Sequence, residues 1–369
     1  MQDVLAFMAR PACSADEFDA LALRLFAHQY QHNAAFQRFC LQRGKTARTV
    51  RTWRDIPAVP INAFKQLTLS SQAPASTDRI FMTSGTTQGE VKGRHYHPTL
   101  AVYDASMTRN FARRFMGDTA QISMGLLFPD EVTLPNSSLA HYLALALREF
   151  GSAGSAYFIN AQGLDVAGIT AALRAAERSG QPYALLGASY SLVHVMDAWA
   201  QQGLRFALPP GSRVLDTGGF KGQSRDVPMQ EFYEQLSRVL GLHKNQCINM
   251  YGMTELSTQF YDEGNATLPS VKSGPHWIKT RVVEPLTGVE VAVGERGVLV
   301  HCDLANFNSV TTILTEDVGV AVGAGVTGDA TAAEAGDAAG GFLLLGRAQG
   351  AQAKGCSLAV EDFLRAARA

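Results

Sequence analysis

No stretch of this chain of 369 residues approaches the run of about 18 apolar residues from which a membrane-spanning helix is built. The opening segment, MQDVLAFMARPACSADEF, carries acidic groups early and too short an apolar run for a secretory leader, so the expected compartment is the cytoplasm, without membrane insertion. A surplus of charge is missing too: 32 basic side chains against 33 acidic ones leave a net charge of -1, which removes any bulk attraction for nucleic acid or anionic lipid. Whatever phosphate the protein binds must be gripped by local groups. Cysteine is scarce and odd in number, and Cys13, Cys40, Cys247, Cys302 and Cys356 lack the close spacing of a zinc site or a disulfide framework. A reducing compartment follows as the simplest expectation. The histidine pairs His28/His32 and His95/His97 lack the further ligands that zinc needs.

Apolar residues are abundant, 46% against 18% charged, and at this length about two domains, or one large domain with an appendage, are expected. Ser14 and Glu17 have capping-box spacing, and Phe18, Leu21, Leu25 and Phe26 recur behind them at helical intervals, which predicts an amphipathic helix from about Asp16 to Tyr30. From Arg79 onward short apolar runs (RIFMTSG, GLLF, AYFIN, YALLGAS, RVLDTGG, CINMYGMTE) alternate with longer helical patterns. That alternation predicts a largely parallel sheet with crossover helices. After about Ser270 the texture changes to TRVVEP, VEVAV, GVLVHCD and TTILTEDVGVAV, a small β-rich part, in which GVTGDATAAEAGDAAGG reads as a surface loop and GFLLLGR as the last strand. The predicted class is α/β: a large domain over 1–345, comprising a helical N-terminus (1–60), α/β sheets (61–268) and the β-rich subdomain (269–345), then a hinge and short tail over 346–369.

In such sheets ligands gather in the loops that follow strand carboxyl ends, and four of those loops carry chemistry. FMTSGTTQGEVKG places Thr83, Ser84, Gly85, Thr86 and Thr87 directly after an apolar strand, where small residues let backbone and hydroxyl donors close on a phosphate, with Lys92 adding charge. The Gly-Lys-Ser/Thr ending of a Walker loop is absent. INMYGMTELS offers Tyr251 to stack on a base, the Gly252-Met253 turn, a Thr254 hydroxyl for a phosphate and Glu255 as a hard oxygen ligand for magnesium, or else as a plain helix-start carboxylate. LTEDVG and LLLGRAQG supply Asp317, suited to a vicinal diol, and Arg347, a donor for ribose or phosphate.

In this order the segments TSGTT, YGMTE, TED and GR, with DTGGFKG between them, resemble the adenylate-forming ligase superfamily of acyl-CoA synthetases, peptide-synthetase adenylation domains and luciferase. The resemblance covers about Ile56 to Glu361 and implies ATP and magnesium as cofactors and an adenine-lining loop at Gly218, Gly219 and Phe220. IPAVPINAFK, TGGFKG, MYGMTE and KGCSL bring the likeness closer to the LuxE family of acyl-protein synthetases. That family implies attack of a carboxylate on the α-phosphate of ATP and transfer of the acyl group to a cysteine near the C-terminus, here Cys356, for delivery to a protein acceptor, a reductase or carrier. It also implies an acyl site near FPDEVTLPNSSLAHYLAL and LLGASYSLVHVM, at Ser138, His141, Gly187 and Ala188.

The chain is expected to lack the mobile C-terminal domain of longer members, and with it the lysine that meets the α-phosphate; Lys92, Lys221 and Lys354 are the expected replacements. Lys354 and Arg347 are expected to lower the thiol pKa of Cys356, and Gly355 to let its loop swing. A buried, inert Cys356 in a terminal helix is the alternative. Two other readings stay open: a compact acyl- or aryl-CoA ligase, and a non-catalytic nucleotide-binding subunit.

Overall fold

The structure, a computed structural model, describes residues 1–83, 91–220, 222–323 and 339–368. It divides into two compact units that are interleaved in sequence: one comprises 1–107, 253–258 and 271–369, the other 108–252 and 259–270. None of the helices among the described residues is long and apolar enough to cross a membrane.

The first unit pairs helices with an antiparallel sheet. Helix Ala15–His32 starts at a capping box, with Ser14 Oγ accepting from the Glu17 N–H at 3.2 Å and Glu17 Oε2 from the Ser14 N–H at 2.8 Å. Its apolar stripe, Phe18, Leu21, Ala22, Leu25 and Phe26, is buried. Asn33 ends that helix and caps the next, Ala34–Gln42, by accepting from the Phe36 N–H. In the sheet, the long strand Thr312–Gly323 lies between Arg296–Asp303 and Ala339–Arg347, both antiparallel to it, and Ile278–Val283 adds beyond Arg296–Asp303. Val59 and Pro60, from the IPAVP segment, pair with Ile313 and Leu314 in parallel. VEVAV is no strand; it forms the connection between Ile278–Val283 and Arg296–Asp303, with Val289 and Val293 exposed.

RIFM also departs from the sequence expectation. Arg79–Met82 pairs antiparallel with Arg94–His97 as a separate two-stranded sheet, because Thr83 and Gly93 close the pair locally through Thr83 N–H to Gly93 O and Gly93 N–H to Thr83 Oγ1. The expected tail is a helix, Gly350–Arg368. It lies on Ala34–Gln42, with the Phe363 ring edge-on to Phe39 at 4.5 Å, Arg43 paired with Asp362, and Arg38 Nε donating to the Ala367 carbonyl.

The second unit is the predicted parallel sheet. Strands run in the order Phe260–Tyr261, Cys247–Tyr251, Arg213–Thr217, Tyr183–Ala188, Ser123–Leu127, Ala156–Tyr157, all parallel except the first. AYFIN splits: Ile159–Asn160 turns away to pair with Gly163–Leu164. Helices Ser138–Phe150, Val166–Ser179, Ser189–Gln201 and Met229–Leu240 make the crossovers. In the last of these Phe232, Tyr233, Leu236 and Leu240 recur at helical spacing and meet Leu185, Val214 and Cys247 of the strands in one core. Leu236 is wholly buried, so Leu236→Ala is expected to lower stability by about 2–5 kcal/mol. Met229→Ala, at an exposed position of the same helix, should stay within about 0.5 kcal/mol; urea unfolding followed by circular dichroism measures both.

Candidate active site

In the second unit the candidate residues leave the parallel sheet at one edge. Register pairs Leu127 with Gly187, Ala188 with Thr217 and Thr217 with Met250, so the carboxyl ends of four strands stand side by side. Gly187 and Ala188, then Gly218, Gly219 and Phe220, then Tyr251 and Gly252 therefore emerge next to one another. Gly187 is a glycine for a packing reason, since a methyl group there would stand 2.8 Å from Leu127 Cβ and from its carbonyl. Phe220 leans on Phe232 at 5.9 Å, and the buried Tyr251 ring on Phe260 at the same distance.

The residue that organises this edge, Asp216, was visible only as part of DTGG. It is wholly buried and accepts from Ser189 Oγ, Tyr233 Oη and Asn249 Nδ2, each at 2.9 Å. Those three donors sit at the start of one crossover helix, on another, and on the neighbouring strand, so a single carboxylate ties three connections to the sheet. Thr217 adds a bond from its hydroxyl to the Met250 carbonyl. Nearby in sequence, Ser138 is half-buried at the start of its helix. His141 is buried, with Nδ1 3.2 Å from Glu131 Oε2, so a carboxylate of the chain already faces that ring.

In the first unit Glu255 is the centre. Its side chain is only 4% exposed, and burial pushes its pKa up to about 7, partly opposed by the charges of Arg347 and Lys65. A methyl group added at Gly93 would stand 3.1 Å from Glu255 Oε1, so the backbone just before strand Arg94–His97 passes directly against the carboxylate. His95, on that strand, directs Nδ1 to the Thr254 carbonyl at 3.0 Å; burial holds this ring neutral, with a pKa near 4. Thr83, Met253 and Thr254 are half-buried, and Lys92 is exposed. Asp317 and Arg347 are register partners across two strands, and Arg347 Nε meets Asp317 Oδ1 at 3.2 Å while Nη1 meets Glu316 Oε2 at 3.4 Å. Ser84, Gly85, Thr86, Thr87 and Lys221 lie outside the described residues. Lys65 stands in the IPAVPINAFK segment, and its charge reaches Glu255 only because the fold brings the two together.

The sequence matches the family described as acyl-protein synthetase, LuxE, over residues 3–365. The chain belongs to the LuxE family. Two curated relatives share the name long-chain-fatty-acid–luciferin-component ligase: one from Vibrio harveyi, 24% identical over 328 residues, and one from Aliivibrio fischeri, 23% identical over 327 residues, each covering 86% of this chain and 84% of the relative. Among solved structures, 2-hydroxyisobutyryl-CoA ligase in the postadenylation state aligns with a TM-score of 0.60 at 14% identity, over 85% of this chain but 65% of that one. An open conformation of the same ligase gives 0.63 at 12%, over 91% and 76%, and ATP-bound MatB from Rhodopseudomonas palustris gives 0.51 at 16%, over 75% and 49%. At these identities the likeness establishes the adenylate-forming ligase fold. The chain spans just under two thirds of the first of these ligases.

The LuxE cysteine expected at 356 sits differently from what the sequence suggested. It lies inside helix Gly350–Arg368, 3% exposed, packed with Val283, Val298, Val300 and Leu314, and its Sγ is 3.8 Å from the Thr315 carbonyl. The thiol pKa is pushed up to about 11, first by burial and then by the carboxylates of Glu316 and Asp317, so the expected lowering does not occur. Lys354 is exposed, and residues two apart on a helix do not share a face; Arg347 spends its charge on Glu316 and Asp317. Gly355 serves no swinging loop either. A methyl group there would stand 2.9 Å from the Pro285 ring, so the glycine lets the helix approach the sheet connection closely.

All five cysteines are free and buried, so in the native chain none should react with a thiol reagent as fast as glutathione does, and five should react after unfolding. The raised pKa of Glu255 makes a second expectation. Unfolded, the carboxyl ionises above about 4.5; folded, it keeps its proton to about 7, so the folded chain holds the extra proton across that window and stability falls as pH rises through it. Glu255→Gln removes that loss. Its stability relative to the parent should rise between pH 4.5 and pH 7 by on the order of 3 kcal/mol, read from urea midpoints at several pH values.

Proposed function

We propose that this chain activates a carboxylic acid of the long-chain fatty class with ATP and then carries the acyl group as a thioester on Cys356, for delivery to a protein acceptor such as an acyl reductase or carrier. The observation that carries this reading is the family match over residues 3–365, supported by the name that the two relatives share. In the first step a carboxylate oxygen attacks the α-phosphorus, and the bond to the leaving pyrophosphate breaks with its electron pair. Gly218, Gly219, Phe220, Tyr251 and Gly252 would line the nucleoside, with the 83–87 loop and the Met253-Thr254 turn at the phosphates and Asp317 with Arg347 at the ribose. Ser138, His141, Gly187 and Ala188 would border the acid. Lys92, Lys221, Lys354 and the newly found Lys65 are the cations available to the charge that builds on the phosphate.

Glu255 suits magnesium that arrives with the nucleotide. Magnesium is commonly held by one or two protein carboxylates, with water and substrate phosphates completing its shell, and no group of three or more His, Cys, Asp or Glu among the described residues offers a metal a cage of its own. When bound it would supply positive charge to the phosphate oxygens.

In the second step the sulfur of Cys356 attacks the acyl carbon of the mixed anhydride. A C–S bond forms, AMP leaves with the electrons of the C–O bond, and the thiol proton passes to water. Because the thiol is buried and protonated at rest, this step needs the helix Gly350–Arg368 to loosen first. The same burial favours one other reading, in which coenzyme A takes the acyl group from the adenylate and Cys356 is a core residue.

With ATP and a long-chain acid, the parent should release pyrophosphate and gain an acyl mass on the Cys356 peptide that hydroxylamine removes. Cys356→Ser should keep acid-dependent pyrophosphate exchange and lose the labile label. A label that survives in Cys356→Ser, or turnover seen only when coenzyme A is added, would sink the transfer step.

A further inference from the structure

The turn that carries Glu255 owes its shape to two buried residues far along the chain. Asp303, at the end of strand Arg296–Asp303, is wholly buried and accepts four hydrogen bonds. Oδ2 takes the N–H groups of Ser257 and Thr258, both at 2.9 Å; Oδ1 takes the Thr258 hydroxyl at 2.8 Å and the Ala305 N–H at 2.9 Å. Asn306, 1% exposed, works on the same turn from the other side of its amide. Its Oδ1 accepts from the Ser257 N–H at 3.0 Å and the Ser257 hydroxyl at 2.7 Å, and its Nδ2 donates to the Glu255 carbonyl at 2.8 Å and the Val310 carbonyl at 3.3 Å.

The two side chains together fix Glu255, Ser257 and Thr258, while His95 holds Thr254 from the hairpin. Asn306 is itself braced by Gln29 of helix Ala15–His32, which donates to the Asn306 and Phe307 carbonyls and accepts from the Thr311 N–H. Burying a charged carboxylate for the sake of a turn is unfavourable unless every acceptor site is used, and here Asp303 meets four donors. The effect is a peptide segment with little freedom directly behind a carboxylate whose Oε1 lies beside Gly93.

We propose that Asp303 and Asn306 are positioning residues for Glu255, holding its carboxylate at one place for the divalent cation that accompanies the nucleotide. The inference rests on the reading of Glu255 as the magnesium ligand. Partners that orient a metal-binding carboxylate typically change metal affinity 10–100-fold when lost.

Manganese binding in the presence of β,γ-methylene ATP, followed by electron paramagnetic resonance, tests it without turnover. Asn306→Asp puts an acceptor against the Glu255 carbonyl and should weaken manganese binding about tenfold, with the Michaelis constant for the acid unchanged. Ser257→Ala removes only the hydroxyl bond to Asn306 and should weaken it less, in a chain that melts close to the parent; it decides the matter if Asn306→Asp does not fold. Glu255→Gln is the reference. If Glu255→Gln leaves manganese affinity unchanged, the ligand reading fails and this inference with it. If Glu255→Gln weakens binding while folded Asn306→Asp and Ser257→Ala bind as the parent does, the ligand reading stands and the positioning role is overturned.

Discussion

Glu255 carries a carboxylate into surroundings dry enough to lift its pKa to about 7, and the first unit is arranged around keeping that group in place. In front of it the hairpin end at Gly93 passes within van der Waals reach. Behind it Asp303 and Asn306 grip three residues of the same turn, and Gln29 grips Asn306 in turn. An ionised carboxylate in such a place gains from any cation brought to it, since desolvation strengthens the attraction that water would otherwise screen. Arg347 and Lys65 supply part of that field from the protein.

The second unit solves a different problem by a similar device. Parallel strands end at a common edge, but their loops must then be kept from collapsing over it. Asp216 does this with three side-chain donors from two crossover helices and a strand, and Thr217 adds a link to Met250. Glycines at 218, 219 and 252 then leave backbone rather than side chains at the edge.

Cys356 shows how a reactive residue type is stored. It is buried almost as deeply as Cys302 in its strand, 3% exposed against 0%, and two carboxylates on the neighbouring strand raise its pKa beyond the effect of burial. A thiol in that state is poorly nucleophilic and poorly oxidisable. The helix that holds it is docked by a close contact at Gly355, an aromatic pair between Phe363 and Phe39, and the Arg43 pair with Asp362, the last of which is exposed and adds little.

Local signals in the sequence carried over into local structure. The Ser14 and Glu17 capping box became a helix start, GLLF, YALLGAS, RVLDTGG and CINMYGMTE became adjacent parallel strands, and the order of motifs pointed to the adenylate-forming fold and the LuxE family. RIFM was misread because strand partnership depends on which segment closes on it, and the Thr83 and Gly93 bonds make it a hairpin. Asp303 and Asn306 were invisible, since each acts on residues 45 to 51 positions away and neither stands in a motif. The environment of Cys356 was misjudged for the same reason: Lys354 is near in sequence, whereas Glu316 is near in space. Residue type and spacing determined which groups this chain can offer to chemistry. Only tertiary structure decided their charge state, exposure and direction, because those depend on desolvation and on partners brought together from distant parts of the chain.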